Sequence, residues 1–181
     1  MIESRGTPAA RLGRRESVRR LVQMAGLAPA VLAFLEDRVE ALPRGHETEL
    51  AVLQAALVLE HQAVSVYDLG LQRDLFPPGV RRQAVEFRGD HLGHRDTQIA
   101  IAEERGGRVA PAPSQFHWGT IENGDAMVQL ALEIEHTAQL AYTALISQIR
   151  SDDYLLSAAF ILIDEARHLT VWRRVLGLRI Y

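Results

Sequence analysis

Two stretches of this chain repeat each other's polar residues at a fixed distance, and that repetition limits the fold more than any other feature. Leu59-Glu60-His61, with Tyr67 seven residues after the glutamate, is echoed by Ile134-Glu135-His136 with Tyr142, an offset of 75 residues. Asp90-His91-Leu92-Gly93-His94 is echoed by Asp164-Glu165-Ala166-Arg167-His168 at an offset of 74. Each stretch lies in a run of apolar residues with helical spacing. Leu50, Leu53, Ala56, Leu57, Val64 and Tyr67 recur at intervals of three, four and seven and predict a helix from about 48 to 72. Pro78 opens a second helix that stops at Gly106-Gly107. A third runs from about Asp125 to Arg150. Ser151-Asp152-Asp153 can cap a fourth, from Tyr154 to Leu176, which Gly177 ends. Strand alternation is not sustained anywhere, so the expected class is all-α: a duplicated four-helix bundle, its two halves joined by a long crossover between helices two and three.

The repeated polar residues sit near the middle of each helix, about 15–20 Å along its axis, so antiparallel neighbours bring them to one height. Glu165 and His168 project from one face of helix four, and His91 and His94 from one face of helix two. Glu60 and Glu135 fall on or beside the apolar stripes of helices one and three. Charges in such places are costly without a counter-charge. Two divalent cations supply one: three carboxylates against four positive charges, with imidazoles completing the set. Glu60, His91, His94, Glu135, Glu165 and His168 are therefore the candidate ligands. Asp90 and Asp164 are candidates to accept the outer ring N–H of a ligand histidine. Tyr67 and Tyr142 are candidates to hydrogen-bond a ligand carboxylate or pass electrons. His61 and His136 point about 100° away from the preceding glutamate and read as surface or supporting groups; His46 and His117 read as loop or cap residues.

Composition narrows the chemistry. The 181 residues include no cysteine, which excludes a disulfide framework, a thiolate zinc site, an iron–sulfur cluster and a cysteine nucleophile. All 20 basic residues are arginine, so Schiff-base and P-loop lysine chemistry are excluded as well. A net charge of −3 argues against nucleic acid as a partner.

Residues 1–45 form a separate N-terminal extension before the bundle of residues 46–181. Six arginines and two acids precede Leu21–Leu35, an apolar run interrupted by Gln23 and Pro29. The favoured reading is an extra pair of amphipathic helices packed on the bundle, in a cytoplasmic protein. The second is a twin-arginine export signal at Arg14-Arg15 leading to the periplasm, with Ala28-Pro29-Ala30 as its cleavage site. About 15 residues are too few for a transmembrane helix.

The Glu60-His61 to Tyr67, Asp90 to His94, Glu135-His136 to Tyr142 and Asp164-Glu165-Ala166-Arg167-His168 segments resemble the ferritin-like superfamily. Within it, the chain is similar to bacterial ferritin-like proteins akin to plant desiccation-related proteins. The resemblance spans about residues 48–177, including the loop with Pro111 and Phe116, and Asp-Glu-x-Arg-His is its most specific piece. It implies a four-helix bundle that binds two iron or manganese ions and reacts with dioxygen or peroxide, with Glu60, His94, Glu135, Glu165 and His168 on ligand positions. His91 stands where the family has glutamate. An imidazole does not bridge two metals as a carboxylate does, so the two ions are expected to bind unequally, the tighter on the Glu165/His168 side. The leading expectation is a di-iron protein handling ferrous iron, dioxygen or peroxide, with manganese or zinc as other metals and a homodimer as a possible assembly. The alternative is a structural or stress-protective bundle whose buried groups form a hydrogen-bond network or hold one zinc ion.

Overall fold

Capping chemistry sets the ends of the helices. The computed structural model describes residues 46–109, 111–113 and 116–180; the expectations for residues 1–45 lie outside the described residues. Helix α1 spans His46–Gln72, α2 Arg81–Glu104, α3 Gly124–Leu145 and α4 Asp152–Val175. Short 3-10 turns at Pro78–Val80 and Ile146–Gln148 precede α2 and follow α3, where the sequence reading had continuous α-helix. Pro78 fits its turn because a first-turn residue has no N–H bond to lose. Asn123 Oδ1 accepts from the Ala126 N–H at 2.9 Å to start α3, and Ser151 Oγ accepts from Tyr154 N–H at 3.3 Å to start α4. Asp152 and Asp153 in the first turn of α4 and Arg173 and Arg174 in its last complement the helix dipole. Both α2 and α4 end on a left-handed glycine, Gly106 at φ 70° and Gly177 at φ 65°. In each case the next N–H group turns back onto a carbonyl of the last turn: Gly107 N to Ala102 O and Leu178 N to Arg173 O, both 2.8 Å. The duplication seen in the polar residues thus extends to the helix stops.

Among the described residues there is no strand, and the helices form an all-α four-helix bundle. The pairs α1/α2 and α3/α4 pack most closely, α1 packs on α3, and α2 meets α4 more sparsely, with α1 and α4 diagonal to each other. The apolar core is divided in two. One cluster joins Leu53 and Ala56 of α1, Ala102 of α2, Leu145 of α3 and Ile161 of α4. The other joins Val66, Phe87, Met127 and Trp172. The first draws on the N-terminal halves of α1 and α4 and the C-terminal ends of α2 and α3, so α1 and α4 run one way and α2 and α3 the other. The chain must therefore travel the bundle's length between α2 and α3. Arg108 carbonyl accepts from Gln54 Nε2 at 2.7 Å beside the first cluster, and Trp118 Nε1 donates to Ser65 Oγ at 3.3 Å beside the second. This is the long crossover. α1 is long and apolar enough to cross a membrane, at mean hydropathy 1.3 over Glu49–Gln72. Its apolar residues are instead largely covered by the bundle, and it carries Glu60 at mid-length.

One buried carboxylate fastens the end of the bundle where α1 begins. Glu49 accepts from the backbone N–H of Arg150 and of Ser151, the latter at 2.7 Å, and pairs with Arg105 Nη1 at 2.7 Å. Arg105 also donates to Ser151 Oγ. Burial pushes the Glu49 carboxyl up, but the two backbone donors and Arg105 outweigh it and hold the group below its ordinary range. A depressed carboxylate stabilises the fold above its unfolded pKa and loses that contribution as pH falls through the folded value. Glu49→Ala is therefore expected to cost about 2–4 kcal/mol at pH 7, since it strands two N–H groups and an arginine. The gap to wild type should narrow as the solution is acidified below the carboxylate range. Urea unfolding across pH measures it, and a gap independent of pH would contradict this role.

Candidate metal centre

Between the two apolar clusters lies a layer of buried polar side chains, one set from each helix. α1 contributes Glu60, α3 Glu135, α2 His91 and His94, and α4 Glu165 and His168. His91, Glu135, Glu165 and His168 are 0% exposed, Glu60 1% and His94 8%. The structure brings all six together in two overlapping groups. Glu60, His91, His94 and Glu165 form one; His91, Glu135, Glu165 and His168 form the other; within each group the ligand atoms lie within 4.8 Å of one another. His91 Nδ1 is 2.9 Å from Glu60 Oε2 while its Nε2 is 3.3 Å from Glu135 Oε1. Glu165 Oε1 is 3.4 Å from His94 Nδ1 and 3.6 Å from His91 Nδ1, and Glu165 Oε2 is 4.0 Å from His168 Nδ1. Where the sequence placed His91 at one corner, the structure places it between the groups, opposite Glu165, the residue that matches it in the duplicated half. Neither group is favoured by having the glutamate alone.

The surrounding hydrogen bonds are reciprocal across the two halves. Asp90 of α2 faces the ring of His168 on α4 at 3.0 Å, and Asp164 of α4 faces His94 of α2 at 3.3 Å, each through Nε2. Acceptors at Nε2 fix the tautomer and leave Nδ1 of both rings directed inward. Tyr67 of α1 donates to Glu135 of α3, and Tyr142 of α3 donates to Glu60 of α1. Each phenol binds Oε1; Glu60 Oε2 then faces His91 and His94, and Glu135 Oε2 faces His168, while His91 Nε2 shares Glu135 Oε1 with Tyr67. Burial, reinforced by the adjacent carboxylate, pushes both phenols well above their ordinary pKa, so they stay protonated donors. Two participants were not foreseen. Gln98 donates to the Tyr142 hydroxyl, and Trp172 Nε1 donates to the Tyr67 hydroxyl at 2.8 Å. Both stand seven residues after the central residue of their helix, His91 and Glu165, and a buried polar residue at that helical phase was the available signal. Arg167 binds Asp90 at 2.6 Å and Glu86 at 2.9 Å and lies 3.5 Å from Asp164, so one guanidinium holds the acceptors of both histidines. His61 is half-buried and His136 exposed; neither enters the groups. His46 begins α1 and His117 lies in the crossover.

Charge in the layer is unevenly shared. Burial raises the Glu60 carboxyl, but His91 and His94 overcome it and bring it down to about 2. Burial likewise opposes His91 and His168 at Glu135, and the histidines hold it well below its usual range. Burial works against the charge on His91 and His94, yet the carboxylates raise both above the ordinary histidine value. Glu165 goes the other way: burial pushes it well up, the charges of Glu135 and Glu60 add to this, and His91 only partly offsets them. Without a cation, Glu165 is the one carboxyl of the layer held above its ordinary range.

Glu165 also supplies the test of whether this residue set fits a metal. Neither of its buried carboxylate oxygens has a hydrogen-bond partner, and His94 Nδ1 has none. Buried polar atoms are almost always paired. Three unpaired acceptor or ligand atoms that converge on two sets of carboxylate and imidazole donors fit divalent cations.

A family model described as a ferritin-like domain matches residues 48–178. The fold is similar to the crystal structure of a conserved hypothetical protein, rv2844, from Mycobacterium tuberculosis, with 26% sequence identity, a TM-score of 0.67, and coverage of 72% of this chain and 92% of that one. No curated protein matches. The match across the whole bundle, together with a four-helix fold that buries two His/Glu groups able to hold metal ions, shows that this chain belongs to the ferritin-like domain family.

Proposed function

We propose that the chain binds two divalent metal ions, iron in the first place, and handles ferrous iron together with dioxygen or peroxide. The single observation that carries this reading is Glu165, fully buried, unpaired at both oxygens and shared by both groups. A structural network fits this residue less well, because its nearest imidazole nitrogens, at 3.4–4.0 Å, complete no hydrogen bond to either oxygen. Iron suits mixed carboxylate and imidazole ligands, and a pair of such ions would supply the electrons to reduce an oxidant.

The residues of the chain have separable tasks. Glu60, His94 and Glu165 would hold one ion, Glu135, Glu165 and His168 the other, and His91 stands within reach of both. Tyr142 and Tyr67 orient Glu60 and Glu135 by occupying one oxygen of each. Asp164 and Asp90 orient His94 and His168. The apolar clusters above and below the layer restrict access of bulk water, which strengthens every interaction within it.

Loading must displace protons, since His91 and His94 hold theirs above the ordinary value and burial favours the protonated form of Glu165. The histidine charges stabilise the metal-free fold below the unfolded histidine pKa, and their contribution fades as pH rises through the raised values. Ions compete with those protons, so metal-dependent stabilisation should grow with pH. The expected result is a larger rise in Tm on adding ferrous iron at pH 8 than at pH 6, under anaerobic conditions, with proton release in weakly buffered solution. Admitting oxygen to the loaded protein should then consume it, as an oxygen electrode records. A Tm shift independent of pH would contradict the proton-displacement account. Loaded protein that consumes no oxygen above the rate of free ferrous iron would contradict the redox reading.

A further inference from the structure

The two duplicated halves close over their histidines differently. His168 is fully buried: Phe87 stacks on its ring with centroids 3.9 Å apart, and Arg167 lies over Phe87 while binding Glu86 and Asp90. By the 74-residue offset of the halves, the counterparts of Phe87, Glu86, Asp90 and Arg167 are Ile161, Phe160, Asp164 and Gly93. His94 thus keeps its aspartate, but a glycine stands where the arginine that covers His168 would be. A Cβ at Gly93 would meet no atom within 4 Å. Among the described residues, this side holds a groove of about 370 Å³ along the α2–α4 seam. Its wall follows three turns of α4, from Asp153 past Ser157, Phe160 and Ile161 to Asp164, about 16 Å. It reaches His94, the most exposed of the six candidate ligands. The same ring carries the buried, unpaired Nδ1, 3.4 Å from Glu165 Oε1 and 3.6 Å from Glu60 Oε2.

We propose that this groove is the port by which divalent cations enter the centre, reaching the Glu60/His94/Glu165 group first, and that Arg167 shuts the equivalent place in the other half. The proposal rests on the two-ion reading above and adds a direction of entry to it. Charge favours this side. Asp153 and Asp164 are the acids of the lining and no arginine lines it; Arg167 comes within 3.5 Å of Asp164 without doing so. A cleft lined by one sign of charge concentrates ions of the other. On the shut side an incoming cation meets the Arg167 guanidinium, which repels it and already occupies Glu86 and Asp90. Burial follows the same division, since His94 is 8% exposed and His168 is 0%.

The test follows the rate of loading in the full chain, with manganese(II) as the probe and loss of its free-ion electron paramagnetic resonance signal as the record. The chain has no cysteine, so Ser157→Cys puts a single thiol on the groove wall, and Gln83→Cys puts one at the counterpart position in the other half. Each thiol is capped by a bulky methanethiosulfonate and freed again by reductant. Capped Ser157→Cys should load on the order of tenfold or more slowly, because entry then waits on local opening of the bundle. It should still retain two ions at equilibrium, and reductant should restore the wild-type rate. Capped Gln83→Cys should load as wild type does. Gly93→Arg should slow loading by a similar factor, whereas Gly93→Ala should not. Asp153→Asn should slow it about two- to threefold at low salt and weaken its salt dependence. Wild-type rates in capped Ser157→Cys, with two ions retained, would overturn the port and leave the two-ion reading standing. Equal slowing of both capped variants would also overturn the port. Wild-type protein that retains no manganese would overturn the two-ion reading and the port with it.

Discussion

Glu165→Ala is expected to abolish metal binding at both groups at once. The residue is shared by the two groups, so its loss removes one ligand from each together with the single negative charge they share. Losing even a supporting contact at a metal site typically costs 10–100-fold in affinity, and losing a shared ligand should cost on the order of 100-fold or more at each ion. His168→Ala and His94→Ala should each weaken one ion and spare the other. His61→Ala and His136→Ala should leave metal content unchanged, because neither side chain enters a group. Glu135→Ala should both reduce metal content and destabilise the metal-free fold by about 3–5 kcal/mol, since it strands His91 and His168. Metal content by elemental analysis, alongside unfolding of the metal-free variants, separates these effects. Equal loss from Glu165→Ala, His61→Ala and His136→Ala would mean general destabilisation in place of lost ligands.

The second large effect is expected at His91. A neutral imidazole has one free lone pair, yet Nδ1 faces one group and Nε2 the other. Only one ion can take it, so loading of the wild-type protein should proceed in two unequal steps. Unequal strength is thus again the expectation, with competition for a central residue as its cause in place of a weak corner. His91→Glu places a carboxylate opposite Glu165, where both of its oxygens can serve, and changes the ligand charge from −3 to −4. It should tighten the weaker step by about tenfold or more, bringing the two steps together, and speed ferrous oxidation. In the metal-free protein the same change removes the imidazolium that holds Glu60 and Glu135 ionised, so the apo fold should be less stable and the stabilisation by metal larger. Calorimetric titration with manganese, which avoids oxidation, reads the steps. A single unresolved step in wild type, or an unchanged weaker step in the variant, would contradict this account of His91.

Much of this was legible before the coordinates. Helical spacing marked all four helices, and the repeated polar residues identified the six buried side chains, because a buried charge must recur where its partners recur. What spacing could not show is which half each supporting group serves. Tyr67 lies seven residues from Glu60 in sequence but bonds Glu135, and Asp164 lies four residues before His168 but faces His94. Such pairings are set by the packing of antiparallel helices, which a single helix's periodicity does not encode. Gln98 and Trp172 were missed for a related reason. Each binds a tyrosine of another helix that in turn binds a ligand, Gln98 also reaching Glu60 itself at 3.5 Å, so neither looks like chemistry in its own stretch of sequence. The central position of His91 was likewise a product of packing, since spacing gives a residue's face and height but not what stands across from it.

If the two His/Glu groups are a pair of ion sites, each chain holds two ions, and counting them is decisive. Full-length protein stripped with chelator, loaded anaerobically with ferrous iron and freed of unbound metal should retain close to two equivalents per chain. The Glu165→Ala variant, still helical by circular dichroism, should retain close to none. Wild-type protein that retains no metal, or the same metal as Glu165→Ala, would contradict the account.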